Sequence, residues 1–368
     1  MTDSDVGNPT PFYDRHLRHG ARMVNFFGFA MPLQYKGIVA EHRHVRQAVG
    51  LFDLSHMGEF SVRGRDALPF LQRMTINDVA SLEIGQVQYT AMCYPDGGIV
   101  DDLLVYRLED RFLLVVNAAN IEKDFGWLRE HLGDRVELEN LSHRYALLAI
   151  QGPRAQPVMS RLTEMDLEAL NFYHFAEGQV ADVPMILSRT GYTGEDGFEL
   201  YLEPREASRI WDAVLTAGRD DELQPVGLGA RDSLRLEMKY ALYGQDIDRT
   251  TTPLEAGLGW ITKLNKGEFI GRDTLTAQKK KGLSRRLVGF EMLQKAVPRT
   301  GYQLRVNGRQ AGRVTSGIFS PSLNKGIGTA YLPVEHAPAG TQIEVIIRER
   351  AIPAQVVKTP FYTRGTHK

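Results

Sequence analysis

A chain of 368 residues exceeds what one hydrophobic core organises and predicts two or three domains. With 43% hydrophobic residues, 24% charged residues and a formal net charge of −1, it is neither disordered nor fibrous. The near-neutral balance supplies no global drive toward nucleic acid or anionic membranes, so any anion site must be a local cluster. The single Cys93 excludes an intramolecular disulfide and a multi-cysteine zinc or iron–sulfur site. There is no apolar run of about eighteen residues, and Asp3 and Asp5 stand where a transit peptide avoids acids. Together these features predict a cytoplasmic protein, or a mitochondrial matrix form if the source is a eukaryote.

In chain order, Ile38, Val45 and Val49 predict a helix over residues 38–49, with Gly50 placed as a left-handed C-terminal cap. Residues 59–62 alternate as a strand, Asp66 stands where it would cap a helix containing Leu68, Phe70 and Leu71, and residues 87–94 form another strand. The turn signal Pro95-Asp96-Gly97-Gly98 leads into strands over 99–106 and 112–116, a meander, followed by a helix over 120–132 closed by Gly133. A second round begins with a strand at 145–150, a helix after Pro153 and strands at 185–188 and 198–202. Helices over 205–217 and 230–239 follow, and then residues 243–266, glycine-rich and aperiodic, read as an ordered functional loop. The basic run Lys279-Lys280-Lys281 reads as a solvated linker. Beyond it, short strands and the hairpin pair Asn307-Gly308 predict a small closed β-domain over 284–362. The resulting units are 1–140, 141–275 and 276–368, the first two interleaving in space.

No P-loop, HExxH, paired CxxC or nucleophile elbow is present, and Gly227-Leu228-Gly229 lacks the third glycine of a dinucleotide fingerprint. The expectation is therefore no metal, flavin or nucleotide. His42 and His44, two residues apart on a helix, face different ways and cannot share a metal. His56 reads as a structural histidine bonded to a backbone carbonyl.

Three clusters carry chemical information. In Gly97-Gly98-Ile99-Val100-Asp101-Asp102-Leu103-Leu104-Val105 two acids interrupt an apolar strand, so whichever face is buried receives one carboxylate. Such a carboxylate is costly unless bonded or used, and strand parity does not choose between Asp101 and Asp102. The segment Arg189-Thr190-Gly191-Tyr192-Thr193-Gly194-Glu195-Asp196-Gly197-Phe198-Glu199 joins two strands with glycines that allow close approach of a flat ligand. As a bare pattern the segment reads as a well-made turn with solvated acids; as a binding segment, Tyr192 would stack on such a ring and Glu199 would accept paired hydrogen bonds from an amino-pyrimidine edge. In Gly227 to Glu237, Arg231 sits in the first turn of a helix, where guanidinium and helix dipole together suit one carboxylate.

Taken together, these clusters resemble the T-protein family of the glycine cleavage system. The resemblance runs in family order through Phe29-Ala30-Met31-Pro32-Leu33-Gln34-Tyr35, Leu51-Phe52-Asp53-Leu54-Ser55-His56-Met57-Gly58 and the double aspartate. It continues through the Gly191 and Gly227 segments, Leu242-Tyr243-Gly244, Thr252-Pro253-Leu254-Glu255-Ala256, Phe269-Ile270-Gly271-Arg272 and Ser316-Gly317-Ile318-Phe319-Ser320-Pro321. It implies an α+β fold of two mixed α/β units and a C-terminal small β-barrel around a central folate channel. It implies Asp101 as the catalytic acid, with Met57, Tyr89, Asn117, Tyr192, Glu199, Arg231, Trp260 and Arg364 lining the tetrahydrofolate site. The implied reaction moves a one-carbon unit from the aminomethyl-lipoyl group of the H-protein to tetrahydrofolate. The same fold also serves folate-dependent demethylases of small methylated substrates. A non-catalytic folate-binding iron–sulfur assembly factor would need a Lys-Gly-Cys segment before Tyr243-Gly244-Gln245, where this chain has Tyr240-Ala241-Leu242.

Overall fold

The turn at Pro95-Asp96-Gly97-Gly98, with Gly97 in the left-handed region at φ 84°, folds strand Ile99–Arg107 back onto Val87–Cys93. In this computed structural model, which describes residues 7–367, Phe112–Val116, Gly58–Arg63 and Glu137–Asn140 complete a five-stranded sheet. Alternation along Ile99–Arg107 then divides its side chains between two environments. Leu103 and Val105 face a core built with helices Ala67–Met74 and Ile121–Glu130, while Leu104 and Tyr106 face the other way.

What they meet is a second sheet of six strands, in the order Phe175–Val180, Val183–Ser188, Gly197–Leu202, Ala146–Gln151, Gly50–Asp53 and Gln224–Pro225. Strand Gly50–Asp53 comes from the N-terminal part of the chain yet pairs with Ala146–Gln151, so the two α/β units interleave. Leu148, Ile150, Leu200 and Leu202 pack on helix Ala207–Ala217 through Trp211, whereas Leu147, Ala149 and Tyr201 join Leu104, Tyr106, Leu113 and Val115 in a core shared by both sheets. A further sheet of Asn8–Pro9, Phe29–Gln34 and Arg22–Phe26 lies N-terminal to these. No helix among the described residues is long and apolar enough to cross a membrane.

Residues 285–357 close into a six-stranded barrel around Phe290, Leu304, Val345 and their neighbours. Asn307 (φ 50°) and Gly308 (φ 76°) make the expected tight hairpin. The barrel is anchored by helix Leu228–Glu237. Arg235 donates to Asp246 (2.6 Å) and to Ser316 Oγ (2.9 Å), and Asp246 also accepts from Thr315 and Thr329 of the barrel.

The aperiodic stretch after Tyr243 is ordered, as its composition suggests, because Ile247, Ala256, Leu258, Ile261 and Phe269 bury themselves against Ile76, Ala91, Cys93 and Ile99. Two expected caps are not made. Helix Ile38–Gln47 ends earlier than its periodicity predicts, and Gly50 begins a strand instead of terminating the helix. Glycine is required there by packing: a Cβ would lie 2.7 Å from methyl carbons of both Val45 and Val226. Asp66 makes no capping bond and pairs instead with Arg135 at 2.8 Å.

The Arg235–Asp246 pair is buried on both sides, so Asp246→Ala leaves a buried guanidinium whose one remaining acidic partner is the more exposed Asp232. Removing one member of such a pair costs ~3 kcal/mol. The denaturant midpoint of this variant should fall accordingly; a parental midpoint would mean that Asp232 alone holds Arg235.

Candidate active site

The double aspartate splits across its strand. Asp101 is fully buried on the side of helix Ile121–Glu130. Its Oδ1 accepts from Asn117 Nδ2 (2.9 Å) and Asn120 Nδ2 (2.7 Å), and its Oδ2 accepts from the Asn117 amide (3.2 Å). Asp102 keeps some exposure and lies on the face of Leu104 and Tyr106, toward the second sheet. There its Oδ2 accepts from the Tyr89 hydroxyl (2.9 Å) and its Oδ1 from Asn117 Nδ2 (3.0 Å). Burial, and next the Asp101 charge, raise the proton affinity of Asp102 to about 7. The sequence reading gives the reactive side to Asp101. In the fold Asp101 lies on the helix-covered side and Asp102 on the side of the second sheet, because from residue 101 onward odd positions of this strand face the helix-covered core.

In the second sheet, Glu199 stands in strand Gly197–Leu202 on the same face as Tyr201. Its Oε2 accepts from Thr190 Oγ1 (2.5 Å). Thr190 is one end of a buried hydroxyl chain that runs through Ser188 Oγ (2.9 Å) to Tyr106 (3.2 Å) and on to the Tyr201 hydroxyl (2.9 Å). Burial raises the Glu199 pKa, while Thr190 and Arg231 pull it down. Arg231 projects from helix Leu228–Glu237 with its guanidinium 4.7 Å from the Tyr192 ring centroid. Among the described residues it donates no side-chain hydrogen bond. The amide of the N-cap residue, Gly227 N, donates to Glu41 (2.9 Å).

Tyr192 donates to the Ala241 carbonyl, and its ring stacks with Tyr240 at 5.7 Å. Tyr173 sits close enough to both Asp102 and Glu199 that their charges help raise its pKa, after burial. Met57 packs against the shared core. His56 does not make the expected carbonyl bond at Nδ1, which is buried without a partner; burial and the Arg231 charge hold it neutral, with its pKa lowered to about 4. Trp260 is 64% exposed and stacks over Tyr89 at 6.2 Å, which places it at the rim. Arg364 is exposed on the C-terminal tail and makes no ion pair among the described residues, so no contact joins it to this group.

Of the residues named from sequence, the fold brings Tyr89, Tyr192, Glu199 and Arg231 within electrostatic reach of Asp102 or of one another where the two sheets meet, sets Asn117 against Asp102, and packs Met57 in the shared core. Asp102, Thr190, Tyr173 and Tyr240 belong with them and were not singled out individually as site residues. Only Asp102 carried a usable signal, its place beside Asp101. This group combines carboxylate acceptors from both sheets, a guanidinium without a side-chain hydrogen bond among the described residues and several phenol rings, a set whose chemistry suits a flat heterocycle bearing N–H donors and an anionic group. No group of three or more potential metal ligands occurs among the described residues.

Residues 12–266 match the GCVT N-terminal domain family, and residues 285–363 match the glycine cleavage T-protein C-terminal barrel domain. The chain is 51% identical over 353 residues to an aminomethyltransferase of Halothermothrix orenii, covering 96% of this chain and 99% of that protein. It is 51% identical over 368 residues to an aminomethyltransferase of Symbiobacterium thermophilum, covering 98% of each. A crystal structure of glycine cleavage system aminomethyltransferase T from Bartonella henselae is similar with a TM-score of 0.92 at 37% identity, covering 98% of this chain and 99% of that one.

Tyr89 donates to the charged form of Asp102, so Tyr89→Phe should move the Asp102 titration upward from about 7. The expected displacement is about one pH unit. Carbon-13 carboxyl titration of labelled protein measures it, and a midpoint that stays or falls would remove Tyr89 as a stabiliser of the carboxylate.

Proposed function

This chain belongs to the glycine cleavage T-protein family and is an aminomethyltransferase, and we propose that the gap between its two sheets is where the transfer occurs. The one-carbon unit arrives on the aminomethyl-lipoyl group of the H-protein and leaves as 5,10-methylenetetrahydrofolate, with release of ammonia and the dihydrolipoyl carrier. Tetrahydrofolate supplies the nitrogens that take up the carbon. The observation that carries the reading is the convergence of Asp102 from one sheet with Glu199 and the unpaired Arg231 from the other wall.

The protein's own groups divide the work by their chemistry. Glu199, held by Thr190 through one oxygen, has its other oxygen to accept from the amino-pyrimidine edge of the pterin. Arg231 provides the positive charge for an anionic part of the folate. The walls of Tyr89, Tyr106 and Tyr192 exclude water and match a flat ring. Asp102 takes the place expected of Asp101. Its oxygens are held by Tyr89 and Asn117, and its proton affinity near neutrality suits it to accept a proton from a reacting nitrogen and return one as ammonia leaves. Trp260, exposed and stacked on Tyr89, is proposed as a rim residue, and Arg364, exposed on the tail, is proposed as one on family resemblance alone. The reading calls on no metal, flavin or nucleotide. A demethylase of a free methylated substrate or a non-catalytic assembly factor would show no dependence on a lipoylated carrier, and identity of about half with curated aminomethyltransferases supports the carrier-dependent reaction.

Asp102→Asn should fold normally and lose roughly 10²–10⁴-fold in turnover with the lipoyl carrier. In the parent the working form is the carboxylate, so the rate should rise with pH through the Asp102 titration at about 7, and this limb should vanish in the variant. A folded Asp102→Asn protein with near-parental turnover would return the role to Asp101. Glu199→Gln should weaken folate binding by roughly one to two decades through loss of a charge-assisted bond. Arg231→Ala should instead flatten the salt dependence of binding, because it removes an ionic contact. Folate affinities equal to the parent's at every salt concentration would sink both assignments.

A further inference from the structure

Behind Asp102 lies a group that the transfer reaction does not use. Asp124, in helix Ile121–Glu130, is fully buried, and neither of its carboxyl oxygens receives an N–H or O–H donor from the protein. Lys123 Nζ donates to the Val100 carbonyl, lies over the Tyr243 ring at 4.1 Å and forms a long ion pair with Asp124 Oδ1 at 3.8 Å. The Lys123 charge favours the Asp124 anion but is outweighed by burial and the neighbouring Asp101 carboxylate. What Asp124 does meet is the carboxyl of Asp101. Two ionised carboxylates are both acceptors and repel each other, so this contact needs a proton. Asp101 already accepts three hydrogen bonds from Asn117 and Asn120, which stabilise it as the anion. Asp124 has none, so the proton belongs to Asp124, which then donates to Asp101.

We propose that Asp124 is a positioning residue held as the neutral acid, and that the Asp124–Asp101 pair shares one proton and so carries one negative charge behind Asp102. Asn117 transmits the geometry, since its Nδ2 touches Asp101 Oδ1, Asp102 Oδ1 and the Asp102 carbonyl. The titratable and charged groups around Asp102 are Asp101 on its own strand, Tyr89 on the neighbouring strand, Tyr173 and Tyr192 from the facing unit, and Lys123 and Asp124 from the helix. With Asp124 neutral, Asp102 has one adjacent anion to overcome when it ionises. A second anion would keep Asp102 protonated through the working range and remove it as a proton acceptor. The proposal rests on Asp102 as the working acid, but its central statement concerns where a proton sits and is read without turnover.

The measurement is the carboxyl titration of Asp102, by carbon-13 resonance and by the pH dependence of turnover, in the parent, Asp101→Asn and Asp124→Asn. Asparagine at 124 is as neutral as the acid it replaces and still donates to Asp101, so the midpoint should stay within about half a pH unit of the parent's. Asparagine at 101 removes the adjacent charge, so the midpoint should move downward by about one to two pH units. In parallel, infrared spectra of protein with carbon-13 in its aspartate carboxyls should show a protonated aspartic acid band that persists at about pH 9, above the Asp102 titration, and is absent from Asp124→Asn. A midpoint lowered as far by Asp124→Asn as by Asp101→Asn would overturn the proposal, because it would mean that Asp124 is ionised. Absence of the band from the labelled parent would overturn it too, and that test stands even if a variant fails to fold. If the titrations behave as expected while turnover ignores them, the acid pair stands and the assignment of Asp102 to the chemistry fails.

Discussion

Two adjacent carboxylates on a strand covered on both faces impose the constraint around which the centre of this protein is arranged. Alternation sends one to each side; Asp101 is fully buried and Asp102 keeps only partial exposure, so hydrogen bonds must offset most of the desolvation cost of both. The chain meets this by ending strand Phe112–Val116 where it does. Asn117 and Asn120 follow at once, and helix Ile121–Glu130 begins immediately afterward. One asparagine amide then serves both acids, and Asp101 is saturated while Asp102 retains an open side. What separates the two acids, on the proposed assignment, is how many donors each carboxylate receives: three for Asp101 and two for Asp102.

The opposite wall depends on the way the chain interleaves. Strand Gly50–Asp53 crosses into the second sheet beside Ala146–Gln151, which sets Gly197–Leu202 and hence Glu199 opposite the first sheet. The hydroxyl chain from Thr190 to Tyr201 binds the two sheets together, because Tyr106 belongs to one and Ser188, Thr190 and Tyr201 to the other unit. The barrel contributes no side chain to the gap through the contacts described above, yet it governs Arg231. One helical turn after Arg231, Arg235 is locked to Asp246 and Ser316, and at the end of the same helix Glu237 accepts from Ser320 and Ser322. A guanidinium without protein partners of its own is therefore aimed by the rigidity of the helix that carries it.

Much of this was legible in the chain. The meander around Gly97, the Asn307-Gly308 hairpin and the closed β-domain follow from turn residues and alternation, signals that are local and strong. The caps at Gly50 and Asp66 failed because competing tertiary contacts, with Val226 in one case and Arg135 in the other, are invisible to local pattern. The double aspartate shows the same boundary more sharply. Period two states that the acids part, but which face holds the gap depends on the second sheet, whose packing no spacing within the strand encodes. Tyr173 and Tyr240 lie outside periodic segments, so nothing distinguished them from ordinary loop aromatics. His56 was read as a satisfied structural histidine, whereas burial beside Arg231 leaves its Nδ1 bare.

The electrostatics of the gap share a direction that no single residue reveals. Burial pushes the phenols of Tyr89, Tyr106, Tyr173 and Tyr192 upward, so that they remain neutral donors. His56 is driven the opposite way, also toward neutrality, with its pKa at about 4. Glu199 is raised by burial but drawn back by Thr190 and Arg231. Asp102 alone among them has its titration brought to about 7, by burial and by the charge of Asp101. A site that must hold a polar ring and also pass a proton meets two opposing demands: fixed donors and acceptors for recognition, and one group free to change charge. Here the first demand is met by taking ionisation away from the walls, and the second by stationing a second carboxylate behind the one that faces the gap.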